Sequence, residues 1–372
     1  MSEPLFQPIR VGNMELQHRV VHPPLTRFRC NKHSVPLPIV KEYYGQRAST
    51  PGTLVIGEAT LVSPQAGGYP NLPGIWSDAQ IAAWKEIVDV VHAKGSYMVL
   101  QLWAIGRAAN AEFMKHRKLP FVSASDIPVP DSELSGAERP RALTITEIKE
   151  YVRWYTAAAL NGITKAGFDA VEVPCGNGYL VHQFLSETSN QRMDEYGGSI
   201  ENRCRFALEI IDSVVEAIGP EKTGVRMSPW AVAHDIRMAD PVPTHAYLVE
   251  QLQKRHPNLA YLQLVEPRVD VTQDRDAPEE ESNDFIKQRW NGIIINSGGH
   301  DRASGLQIAR QPNQLVAYGR HFIANPDLPR RLKDNLPLNK YDRKTFYVYG
   351  SASPEGYIDY PFIDGNVTLA RL

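Results

Sequence analysis

Eight short runs rich in β-branched and aliphatic residues recur along the chain, and several of the intervals between them carry a helical pattern. The runs are Arg19–His22, Thr53–Glu58, Tyr97–Trp103, Ala170–Val173, Thr223–Met227, Leu259–Val265, Gly292–Asn296 and Leu315–Tyr318. They are near-continuously hydrophobic instead of alternating, as strands covered on both faces require. Ser77–Lys94 opens on a serine N-cap, Thr146–Gly167 opens on threonine and closes on glycine, and Pro326–Asn335 begins with proline. Ile200–Ile218 spaces Phe206, Leu208, Ile211, Val214 and Val215 at the helical period. This alternation predicts an α/β fold, a closed TIM (β/α)8 barrel, with an open doubly wound sheet as the alternative.

Bulk properties exclude several partners. With 40 Lys and Arg against 42 Asp and Glu there is no basic footprint for nucleic acid. No apolar run is long enough to span a bilayer, and the first residues lack the apolar core of a signal peptide. Cys30, Cys175 and Cys204 are too few and too scattered for a disulfide framework, which suits a reducing compartment. A cytoplasmic protein is expected, although the terminal Ala370-Arg371-Leu372 resembles a peroxisomal address. No histidine sits at metal-ligand spacing from carboxylates or cysteines, so no metal is expected. No linker divides the chain, so residues 1–372 are expected to form a single domain. Two polar insertions, 118–142 and 267–282, interrupt it, and the second carries DRDAPEEES, which reads as a solvated loop.

In a barrel the residues just after each strand line the functional rim. Here they are Thr26, Glu58-Ala59, Gln101, Asn177 to Tyr179, Arg226, Glu266, Ser297-Gly298-Gly299 and Gly319-Arg320. The last two groups combine unhindered backbone N–H groups with a permanent guanidinium, where barrels commonly bind phosphate. Glycines that merely turn the chain would look the same.

VEVPCGNGYLVHQFLSETSNQRMDEYGGSIENRCRF, residues 171–206, resembles the signature of the old yellow enzymes, FMN-dependent ene-reductases. PPLTR (23–27), SPQAGGY (63–69), QLW (101–103), VRMSP (225–229), SGG (297–299), GRHFIANPDLP (319–329) and TFY (345–347) follow in the same order. The resemblance implies bound FMN. Pro24, Leu25 and Thr26 would lie along the ring, with Ala59 against it and Gln101 on its pyrimidine edge. Arg226 would face N1/O2, and Ser297, Gly298, Gly299, Gly319 and Arg320 would hold the phosphate. It also implies a two-stage reaction. NADPH reduces the flavin and leaves; an α,β-unsaturated carbonyl then takes hydride from N5 at Cβ and a proton from Tyr179 at Cα. Asn177 would hold the carbonyl, with Trp103, Phe346 and Tyr347 shaping the pocket. Such a protein would work on small molecules, as a monomer or homodimer, with a specialised biosynthetic pathway as one setting for it.

One position departs from the pattern. Family members usually place a histidine, the second donor to the substrate carbonyl, where this chain has Pro174. Proline has neither a side-chain donor nor a backbone N–H. Losing one oxyanion donor typically costs about 3–4 kcal/mol, or roughly a hundred- to thousand-fold in rate. Three readings follow: reduction of a substrate needing less help, a redox-neutral or oxidative reaction (isomerase, cyclase or dehydrogenase) on the same pocket, or a flavin-binding protein without catalysis.

Overall fold

A computed structural model describes residues 3–130, 138–270 and 273–365. Eight parallel strands close on themselves. They are β1 (Val20–His22), β2 (Leu54–Ile56), β3 (Tyr97–Trp103), β4 (Ala170–Cys175), β5 (Thr223–Met227), β6 (Tyr261–Val265), β7 (Ile294–Ser297) and β8 (Gln314–Ala317). Each pairs with its sequence neighbours, and β8 pairs with β1, so the TIM barrel is complete and the open sheet is ruled out. A two-residue strand, Thr60–Leu61, adds to the upper part of β3.

Alternate residues explain the two layers of core. Val171, Val173 and Cys175 of β4 pack outward with Leu208, Ile211 and Val214 of the helix Ile200–Ile218. Buried among them, the Cys175 thiol faces away from the rim. Inside the barrel, Val21, Leu54, Val99, Ala170, Ile295 and Leu315 meet Val11, Met14 and Leu16. Those last three lie on an antiparallel pair, Ile9–Val11 with Met14–Leu16, which stoppers the N-terminal end in apolar side chains. Only the C-terminal rim is left for chemistry.

The helices begin where local chemistry dictates. Ser77 and Gln80 form a capping box on Asp78–Ala93. Thr144 and Glu147 form another on Ile145–Leu160, two residues before the expected threonine. Capping of this kind typically contributes about 1 kcal/mol. That helix continues as a wider turn, Asn161–Ala166, and stops at Gly167, whose φ of 85° is open to glycine. Pro174 sits inside β4, but the ladder to β3 has already ended at Gln101 opposite Glu172. Beyond that point Pro174 pairs only with Arg226 of β5, so the strand tolerates it at its upper edge.

The 267–282 insertion is not simply solvated. It forms a short antiparallel pair, Val269–Asp270 with Gln273–Asp274. Glu281 lies buried between Arg237, at 2.6 Å, and Arg275. No described helix is long and apolar enough to cross a membrane. Residues 131–137 of the other insertion and Ala370-Arg371-Leu372 lie outside the described residues.

Candidate active site

A cavity of about 510 Å3 opens at the C-terminal rim. Its wall brings together every expected cofactor and catalytic residue and, apart from Pro174, every expected pocket residue. Pro24, Leu25 and Thr26 come from the segment after β1, Ala59 follows β2, and Gln101 and Trp103 end β3. Asn177 and Tyr179 follow β4, and Arg226 lies in β5. Ser297, Gly298 and Gly299 follow β7, Gly319 and Arg320 follow β8, and Phe346 and Tyr347 close the mouth. Pro174 is absent from the wall. It faces the barrel interior one layer above Glu172 and does not line the cavity.

Under the cavity lies a buried polar layer. The Gln101 amide donates to Glu172 Oε1 at 2.6 Å. Gln263, with its amide nitrogen turned to the same carboxylate, reaches Oε2 at 2.6 Å. Burial raises the Glu172 pKa, while Arg226 and Gln101 pull it back down. Arg226 is the complementary cation. Burial lowers its pKa and Glu172 opposes that shift, yet Arg226 Nε has no hydrogen-bond partner in the protein. A desolvated guanidinium with an unused donor is costly unless something anionic or carbonyl-like completes it.

The far end of the cavity is built from backbone. Gly298 (φ 133°) and Gly299 (φ 66°) occupy conformations that side chains disfavour. A β-carbon at Gly319 would stand 3.3 Å from Leu25. The helix Gly319–Ala324 starts without a side-chain cap, leaving first-turn N–H groups for another acceptor. Arg320 lies beside them, held by Asp274 of the 267–282 insertion at 2.6 Å. Glycine amides, an uncapped helix start and a guanidinium suit a phosphate. The Arg226 pole suits the electron-rich edge of a flavin, so the whole wall fits FMN.

At the β4 end, Asn177 adopts φ 58°, a left-handed turn that asparagine tolerates. Its N–H donates to Ser228 Oγ at 2.6 Å, and its carbonyl meets His234 Nδ1 at 3.1 Å. That turn sets Tyr179 edge-on to Trp103, with ring centroids 4.8 Å apart. Burial pushes the Tyr179 hydroxyl up to about 12; Tyr347 adds to the rise and Arg226 opposes it. The phenol therefore keeps its proton near neutral pH.

The sequence reading missed several wall residues: Arg27, Phe28, Tyr69, Val269, Arg343 and Tyr349. Tyr69, Arg27 and the segment around 345–349 lie within or beside the quoted motifs, so motif position was the available signal. Two rim expectations moved. Glu58 is buried behind the wall, accepting the Arg27 N–H at 3.1 Å, and Glu266 turns toward Lys287 at 3.6 Å. Among the described residues no cluster of His, Cys, Asp and Glu could hold a metal.

Residues 4–339 match the model of the NADH:flavin oxidoreductase / NADH oxidase family. The chain is 47% identical to the NADP-dependent oxidoreductase lnbE of Aspergillus flavus, covering 99% of both. It is 45% identical to the probable inactive dehydrogenase easA of Claviceps fusiformis, covering 97% of this chain and 95% of that one. Among solved structures it superposes on Old Yellow Enzyme from Pichia sp. AKU4542 with a TM-score of 0.90 at 39% identity, covering 97% and 94%.

Proposed function

Since this chain belongs to the NADH:flavin oxidoreductase / NADH oxidase family, that of the old yellow enzymes, we propose that it is an FMN-dependent ene-reductase. It uses NADPH to reduce the C=C bond of an α,β-unsaturated carbonyl. When bound, FMN supplies the redox chemistry, taking electrons from NADPH and passing them to the alkene. Arg226 carries the reading: its orphaned Nε and buried charge ask for an electron-rich partner in a cavity whose other end suits phosphate.

The chain's own residues divide the work. Pro24, Leu25 and Ala59 would pack along the flavin ring, and the Thr26 hydroxyl and Gln101 amide would serve its polar edge. Arg226 stabilises negative charge at that edge. The backbone N–H groups of Ser297, Gly298, Gly299 and Gly319 hold the phosphate with Arg320. Asn177 donates to the substrate carbonyl, polarising the alkene. Tyr179, kept protonated by burial, delivers its proton to Cα. Trp103, Phe346 and Tyr347 confine the substrate, and Pro174 leaves Asn177 as the one side-chain donor of the usual pair.

Use of NADPH is supported by the NADP dependence named for the relative in Aspergillus flavus. The same reading takes residues 1–372 as one domain, a monomer or homodimer without nucleic-acid or membrane partners. It would act in the cytoplasm, or in the peroxisome should the terminal tripeptide be recognised. Anaerobic mixing tests the reaction: the purified protein should be bleached by NADPH and recoloured by an enone. Bleaching without recolouring across a broad enone panel would refute it.

Pro174 favours a second reading, a redox-neutral or oxidative reaction in the same pocket. Dienones converted without NADPH would identify an isomerase or cyclase. A third, a flavin protein without catalysis, gains support from the relative named as probably inactive. It predicts FMN binding with no turnover of any substrate.

A further inference from the structure

Beyond Tyr179 the mouth of the cavity is lined with aromatic rings that the proposed chemistry does not use. Phe28 and Tyr349 stand 4.2 Å apart between ring centroids, tilted by 33°. Both line the cavity, and Tyr349 remains 51% exposed. Phe28 holds φ at 57°, a costly conformation for a bulky side chain that persists only where the surroundings enforce it. The enforcement is visible. The Gly350 N–H donates to the Phe28 carbonyl at 2.8 Å, and Arg29 grips the carbonyls of Ser351 and Ser353 at 2.7 and 3.0 Å. Two distant segments are thus tied so that their rings stand side by side at the opening. Tyr69 stands edge-on to Phe28, with ring centroids 6.4 Å apart, and lines the same cavity as Tyr179.

A strained backbone that sets a buried Phe28 behind a half-exposed Tyr349 at a cavity mouth is not explained by stability alone. The polar side of this pocket is also short of one donor at Pro174, so carbonyl contacts hold the substrate weakly. Contacts remote from the reacting bond can make up binding that the carbonyl end lacks. We propose that Phe28 and Tyr349 form a distal subsite that stacks an aromatic ring of the substrate, making the substrate an aryl-bearing α,β-unsaturated carbonyl. This rests on the ene-reductase reading and narrows it.

The test titrates FMN-loaded protein, without NADPH, with 4-phenylcinnamaldehyde and with trans-2-hexenal, following flavin absorbance. The biaryl aldehyde should bind more tightly. In Tyr349→Ala the ratio of the two Kd values should fall about fivefold to tenfold, and Tyr349→Phe should preserve it. A ratio unchanged in Tyr349→Ala overturns the proposal. So does a loss confined to the NADPH constant for flavin reduction, which would assign the rings to the adenine of the dinucleotide. A protein that failed to take up FMN would strike the reductase reading instead. The Kd ratio would then still be read from quenching of tryptophan fluorescence in the unloaded chain.

Discussion

At the ends of β5, β7 and β8 the cavity wall is cationic and glycine-lined, with donors left unused. At the ends of β3 and β4 it is aromatic, with Trp103 and Tyr179 edge-on at its centre. The first half suits a charged, phosphorylated group. The second half offers an asparagine, a protonated tyrosine hydroxyl and a set of rings. Electrostatic sites tolerate little change because each buried charge must be answered. Apolar walls can be rebuilt residue by residue, which is how one barrel hosts different substrates.

The largest expected effect divides the two halves directly. Tyr179→Phe removes the proton donor and should slow enone-dependent reoxidation by roughly 10²- to 10⁴-fold. Flavin reduction by NADPH should stay within a few-fold, as rapid mixing of each half-reaction would reveal. Equal losses in both would erase the division.

Pro174→His comes next, because it would add a donor on the aromatic side. Affinity for a phenol and reoxidation by cyclohexenone should both rise, the latter by up to about 10²-fold, given the usual worth of one oxyanion donor. Unchanged phenol affinity would mean that position 174 does not reach the carbonyl site.

A third test concerns the support behind the wall. Burial raises the Glu58 carboxyl to about 7 from its usual 4.5, with the Arg27 N–H and charge opposing. Between those values the folded chain binds more protons than the unfolded one. Stability is therefore fully present below pH 4.5 and is lost as pH rises through 7. Glu58→Gln should flatten that decline by at most about 3 kcal/mol, measured as urea midpoints at pH 5 and pH 8. A parallel decline in the variant would point to another group.

The smallest effect belongs to the phosphate end. Asp274 engages Arg320 in a half-exposed ion pair, worth about 0–1 kcal/mol. Asp274→Ala should free the guanidinium and tighten FMN binding by no more than about fivefold. Weaker binding would show that the loop carboxylate positions Arg320 productively.

The barrel was legible in the sequence because strands covered on both faces must be apolar throughout, and all eight runs became strands. Arg320 and the glycines were legible from their positions after strand ends, and Arg226 from its place near the upper end of its strand. Phe28 was not, since nothing local announces a left-handed phenylalanine; its conformation is imposed by a carbonyl bonded to Gly350, far along the chain. Asp274 and Glu281 were hidden for a related reason. A run of acidic residues looks solvated until Arg320 and Arg237 are brought to it from elsewhere and its own Arg275 turns back onto Glu281. Pro174 was readable as a departure, but only the early end of the β3–β4 ladder explains why the strand accepts it.

The most direct measurement is the flavin content of the purified chain and of Arg226→Leu. The wild type should be yellow and release one FMN per chain on denaturation. In the variant, FMN should bind more weakly by roughly 2–5 kcal/mol, the usual cost of removing one partner of a buried charge contact. A colourless wild-type protein that takes up no added FMN, or a variant that binds FMN as tightly as the wild type, would contradict a flavin seated over Arg226.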